Sequence, residues 1–158
     1  DILVNNAGID IEQANPGIEE VGIDLLEHVF AVNTLGTVRV CKALLPLVRK
    51  SALPTRGLIA NTTSGLASMS NPVMMTRYGY MMSKVSINML SRGMAFEFAE
   101  DGPTVVAWSP GWVQTRLGTP AATYTLDEGG RGNVTTLKSI TRDQSGKVID
   151  MSGEEWSF

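Results

Sequence analysis

Asp1-Ile2-Leu3-Val4-Asn5-Asn6-Ala7-Gly8, residues 1–8, opens on a short apolar run and stops on two amides and two small residues. An apolar run of this length bounded by a turn signal reads as a buried strand. Residues 58–63 and 104–108 read the same way. Between them lie helical patterns. Leu26, Phe30, Asn33, Thr37, Cys41, Leu44 and Val48 follow one another at steps of three or four, which puts all seven on one helix face. Pro46 has no N–H to donate and should kink or tighten the last turns. Ile87, Leu90, Met94 and Phe98 mark a second helix over residues 78–99, stopped by Gly102 and Pro103, and a third is expected over residues 127–139. Loops are expected at Asn15-Pro16-Gly17, over residues 64–77, and over residues 110–125, the last long enough for a binding loop. Residues 148–151 read as a last edge strand, followed by a short polar tail. Strands alternating with helices predict a parallel sheet covered on both faces, the C-terminal part of a doubly wound α/β fold.

The chain has 158 residues with 43% hydrophobic content, enough for one core, so a single domain or part of one is expected. Thirteen Lys and Arg against sixteen Asp and Glu leave a net charge of −3. The positive field that gathers nucleic acid or anionic lipid is missing, and neither is an expected partner. Cys41, the single cysteine, rules out an internal disulfide and fits a reducing compartment, so a cytoplasmic location is expected. No uninterrupted apolar run reaches the length of a membrane span, and no signal-peptide pattern is present. The chain starts on Asp1 rather than Met and enters a strand at once, which reads as a fragment of a larger protein.

Tyr80 and Lys84 are four apart on the second helix, so their side chains share a face. A free phenol, with a pKa of about 10, is a poor proton donor or acceptor at neutral pH unless a cation stabilises its anion. Lys84 is placed to be that cation. Tyr78 sits on nearly the opposite face and has Met82 four residues on, so Tyr80 is the stronger candidate. Ser64 lies at a strand's carboxyl end, where open α/β sheets meet ligands. Thr62, Thr63 and Ser68 are alternative hydroxyls, and a Ser or Thr in a loop after a strand is more often only a turn former. Asn33 interrupts an apolar stripe, and a buried amide left unpaired costs about 1–3 kcal/mol, so something must satisfy it. An interhelical hydrogen bond and a functional role are both open.

Asn5-Asn6-Ala7-Gly8, Asn33, Ser64, Tyr80-x-x-x-Lys84 and Pro110-Gly111-Trp112-Val113-Gln114-Thr115 stand in the order and approximate spacing of one family. The chain resembles the short-chain dehydrogenase/reductase family over essentially its whole length. The stretch from Val113 through Ser145-Gly146-Lys147 to Trp156 is similar to the carbonyl-reductase branch related to C-factor and Sniffer. The resemblance implies a Rossmann-type fold and hydride transfer between NAD or NADP and a small carbonyl or alcohol substrate. By it, Tyr80 is the general acid or base, Lys84 lowers its pKa and binds the nicotinamide ribose, and Ser64 bonds the substrate oxygen. Asn33 would hold a water that links Lys84 to solvent. Asn6, Ala7 and Gly8 would line the adenosine side of the cofactor, and Pro110, Gly111, Val113 and Thr115 the nicotinamide side. Homo-oligomers are common in the family.

Two features depart from that pattern. The Gly-rich turn that cradles the pyrophosphate has no counterpart in these residues, which implies that the first three βα units, on the order of 80 residues, lie upstream. Without them the segment is expected to be inactive and poorly soluble, because the first strand would lack its neighbours. The interval from Ser64 to Tyr80, 16 positions, is also slightly longer than the family's usual spacing. The rival reading is a non-catalytic relative that keeps the fold for binding or assembly. Other features read as structure. His28 faces outward, Cys41 is a buried small hydrophobe, and Glu97, Glu100 and Asp101 form a solvated face. Met69, Met74, Met75, Met81 and Met82 fill core or shape an apolar pocket, and no second Cys or His supports a metal site.

Overall fold

The computed structural model describes residues 1–11, 16–70 and 77–157; Met74, Met75 and Asn15 fall outside them. The expected strands form as β1 (Ile2–Asn5), β2 (Leu58–Thr62) and β3 (Thr104–Ser109), joined by β4 (Val148–Asp150) and β5 (Glu155–Trp156). The sheet order is β1-β2-β3-β4-β5. Its first four strands are parallel, with Asn5 opposite Asn61 and Thr62 opposite Trp108. Their carboxyl ends therefore finish along one edge.

The tail differs from expectation. Instead of trailing away, residues after β4 turn back and β5 pairs antiparallel to it, so β4 is interior rather than an edge. Asp150 makes that turn by accepting hydrogen bonds from the backbone N–H groups of Ser152 and Glu154 through its carboxylate, and Lys147 pairs with Glu155 across the hairpin at 2.6 Å.

The long helical segment is continuous but not uniform: α1 (Ile23–Phe30) passes through a π-helical turn (Ala31–Leu35) into α2 (Gly36–Val48), which runs through Pro46. Its buried line runs through Val29, Asn33, Thr37, Cys41 and Val48. Leu45, not Leu44, packs on the core, and Leu44 sits at the rim. This segment, Ile23–Val48, has an 18-residue window of mean hydropathy 1.3 and is long and apolar enough to span a membrane by length and composition. In this fold, however, its Asn33 and Thr34 side chains are committed to α3 (Tyr78–Glu97).

The faces of the sheet follow from strand alternation. Leu3, Ile59 and Val105 point to one side, where α2 and α3 cover them with Cys41, Val48, Ala95 and Phe98. Leu58, Ala60, Val106, Trp108 and Ile149 point to the other, where Leu137 of α4 (Leu126–Ser139) and Ile140 cover them. Each fully buried aliphatic chain in these clusters stabilises by about 1.5–3 kcal/mol relative to exposure. Ile2 and Val4, on the second face of β1, are 40% exposed. His28, Glu97, Glu100 and Asp101 are exposed, and so are Met69 and Met82, which fill no core.

Candidate active site

The loops after β1 and β2 meet the first turns of α3 at the common carboxyl edge, while the loop after β3 packs against Tyr124 and α4. Below them lies a polar layer that aligns the strands. Asn5 donates to Asn61 Oδ1 at 2.7 Å and to Cys41 Sγ at 3.2 Å, and Asn61 donates to Ser91 at 3.0 Å. Burial pushes the Cys41 thiol up, so this sulfur is a packing and hydrogen-bonding group rather than a thiolate.

Asn33 sits in the π-helical turn, where the wider backbone presents its amide to two neighbours at once. Its Oδ1 accepts from Ile9 N at 2.8 Å, while its Nδ2 donates to Ile9 O at 2.9 Å and to Ser83 Oγ at 3.0 Å. The polar break in the stripe is thus satisfied by an interhelical bond together with a two-point grip on the loop after β1. Thr37 donates to the Asn33 carbonyl at 2.8 Å. A Cβ placed on Gly8 would stand 3.3 Å from Asn33 Oδ1 and 3.4 Å from Lys84 Nζ, so glycine lets the backbone lie close to both without displacing either. Asn6 and Ala7 are exposed beside it.

Lys84 is 3% exposed, and its Nζ donates to Thr62 O at 2.7 Å. Burial lowers its pKa from 10.5 to about 8. The Nζ stands over the Tyr80 ring, 5.6 Å from the centroid, a cation–π placement. The Tyr80 hydroxyl is hydrogen-bonded to Ser64. Thr62 Oγ1 is buried without a partner, Thr63 donates to Lys84 O at 3.2 Å, and Ser68 lies against Ser70 at 3.3 Å. Among these hydroxyls, Ser64 is a hydrogen-bond partner that acts on the Tyr80 phenol.

Burial dominates the acidity of the phenol. Tyr80 is pushed above its usual value, chiefly by burial, and the bond with Ser64, not the Lys84 charge, is the largest opposing effect. The carboxylate of Asp10 raises it further and the guanidinium of Arg77 lowers it. Asp10 and Arg77 form an ion pair that spacing arguments miss, since 67 residues separate them.

The loop after β3 supplies the remaining candidates. Gly111 adopts φ +79 and packs within 3.2 Å of the Tyr124 ring, measured from an added Cβ, so its backbone conformation and its space both demand glycine. Val113 pairs with Tyr124 and lies against Gly129, Pro110 O accepts from Asn133 at 3.0 Å, and Thr115 Oγ1 accepts from Gly118 N at 3.0 Å. Trp156 of β5 covers Gly65, next to Ser64, with ring atoms 3.6 Å from the position of an added Cβ. That aromatic wall also lay outside the sequence reading.

Residues 1–125 match the short chain dehydrogenase family. The chain belongs to that family. This short-chain dehydrogenase is 34% identical to C-signal of Myxococcus xanthus over 155 residues, which cover 98% of the chain and 90% of C-signal. It superposes on the carbonyl reductase Sniffer of D. melanogaster with a TM-score of 0.93 and 25% identity, covering 99% of this chain and 66% of that one. The NADPH-bound carbonyl reductase from chicken fatty liver gives a TM-score of 0.88 and 26% identity, covering 99% of this chain and 65% of that one. The short-chain dehydrogenase described here therefore spans just under two thirds of the length of those two reductases.

Proposed function

We propose that this short-chain dehydrogenase is an NAD- or NADP-dependent oxidoreductase that interconverts a small carbonyl compound and its alcohol, with Tyr80 handling the proton. One observation carries the reading: Tyr80, hydrogen-bonded to Ser64, lies under the buried Lys84 ammonium beside the carboxyl ends of the parallel strands β1 and β2. Carbonyl reductases among the structural relatives, one with NADPH bound, support the same chemistry.

The residues fit the nicotinamide end of such a cofactor. Gly8 leaves a hollow against Lys84 and Asn33 that any side chain would crowd, and Thr62 Oγ1 is a buried hydroxyl with no protein partner nearby. Lys84 and Tyr80 would hold the nicotinamide ribose. Asn6, Ala7 and Gly8 would line the adenosine side, and Pro110, Gly111, Val113 and Thr115 the ring side. When bound, the cofactor supplies or accepts the hydride.

In the reducing direction Tyr80 donates its hydroxyl proton to the carbonyl oxygen as the carbon receives hydride. Burial keeps that proton on the phenol at neutral pH, so its release relies on the hydrogen bond with Ser64 and on the Lys84 ammonium beside the ring to stabilise the anion left behind. Ser64 hydrogen-bonds the same oxygen as negative charge grows there. Lys84, poised near pH 8, returns a proton toward Tyr80, and Asn33 with a bound water carries the exchange to solvent. Asn33 also keeps the loop after β1 in register.

The test is a panel of aldehydes and ketones supplied to the full chain with NADPH and NADH in turn, following oxidation of the dinucleotide. Carbonyl-dependent oxidation with either cofactor supports the reading. Dinucleotide binding with no carbonyl-dependent oxidation, across the panel, points instead to a relative that uses the fold for binding or assembly.

A further inference from the structure

Asp10 lies in a loop, yet its side chain is only 5% exposed. A carboxylate withdrawn from water this far needs a close opposite charge, and it finds the guanidinium of Arg77. Arg77 is the N-cap residue of α3, a helix whose cap makes no side-chain hydrogen bond and whose first turn has no acidic side chain. A cation at that end opposes the helix dipole, whereas an anion suits it. Asp10 brings the missing negative charge from a distant part of the chain. Three successive loop residues thus each hold one member of the same cluster: Gly8 lies against Lys84, Ile9 is gripped by Asn33, and Asp10 pairs with Arg77, one turn ahead of Tyr80.

We propose that Asp10 and Arg77 are a positioning pair for Tyr80, latching the loop after β1 to the head of α3 and balancing the charge around the phenol. The inference rests on the reading of Tyr80 as proton donor. Four groups surround that phenol: Asp10 from the loop after β1, Ser64 from the loop after β2, Arg77 at the N-cap of α3 and Lys84 within α3. Asp10 favours the neutral phenol and Arg77 the anion, so the two oppose each other and loss of either half unbalances the pair. A brace that only held the loop would not move the titration of Tyr80 when one of its charges was neutralised without change of shape.

The experiment is an ultraviolet difference titration of tyrosine ionisation in the full chain, with Tyr80→Phe subtracted to separate Tyr80 from Tyr78 and Tyr124. Asp10→Asn is expected to lower the Tyr80 midpoint and Arg77→Gln to raise it. The double variant D10N/R77Q is expected to fall between the two single variants, and Arg77→Lys to keep the wild-type midpoint. Single variants that fold and titrate like wild type would overturn the proposal, as would shifts of the same sign in both. If Asp10→Asn fails to fold, the contrast between Arg77→Gln and Arg77→Lys decides, equal midpoints refuting the pair. Turnover by Tyr80→Phe judges the underlying function separately, because the titration needs neither substrate nor cofactor.

Discussion

Replacing Lys84 by Met should change how stability depends on pH, and the size of the effect follows from the site. The ammonium is 3% exposed, and burial lowers its pKa from 10.5 to about 8. A gap of about 2.5 units, at about 1.4 kcal/mol each, is a penalty of about 3 kcal/mol on the charged form in the folded state. At pH 7 Lys84 is charged in both states and the folded protein carries nearly the whole penalty. Between about pH 8 and 10.5 the folded state has released the proton while the unfolded chain still binds it, so stability rises with pH across that window and levels off above it. The Met variant has no such proton. At pH 7 it escapes the penalty but loses the 2.7 Å bond to Thr62 O, worth about 1.5–3 kcal/mol for a charged donor, so its stability should lie within about 2 kcal/mol of wild type. From pH 7 to pH 10 wild type should gain roughly 2–3 kcal/mol on the variant. Urea unfolding of both proteins at unit steps of pH measures this directly. A stability difference that stays constant over the range would refute the account of Lys84 as a buried, desolvated cation.

The other expectations concern single contacts. Ser64→Ala should lower turnover about 10²–10³-fold while leaving dinucleotide affinity nearly unchanged, as steady-state kinetics and a binding titration would register. Gly8→Val adds side-chain atoms where even a Cβ stands 3.3 Å from Asn33 and 3.4 Å from Lys84, and should weaken dinucleotide binding about tenfold or more, a loss of about 1.4 kcal/mol readable by fluorescence titration. Gly57→Ala meets both a φ of +89 and a Cβ position 2.6 Å from Val48 O, so thermal unfolding should show a loss of at least about 2 kcal/mol; an unchanged melting temperature would contradict the turn geometry.

Much of the architecture was readable because it is local. The apolar runs at Leu58 and Thr104 and the helical period through Ile87 and Phe98 come from side chains a few residues apart, and they place β2, β3 and α3 closely. Tyr80 and Lys84 were legible for the same reason, being one helical turn apart. What spacing hides is long-range. Asp10 and Arg77 pair across 67 residues, and no pattern near either announces the other. The grip of Asn33 on Ile9 was visible only as a polar break in a stripe. Two-residue β5 is too short and polar to show a period, and it forms because Asp150 caps the turn before it. The depth of burial that raises the Tyr80 pKa leaves no mark in the sequence, which shows only the cation one helical turn away.

The most direct test of the whole account is Tyr80→Phe in the full chain, with turnover and affinity for the reduced dinucleotide measured on the same preparation. The account predicts turnover reduced about 10²–10⁴-fold, the usual worth of a positioned acid, with affinity changed by no more than about twofold. Carbonyl reduction at near wild-type rate by the Phe variant would contradict it.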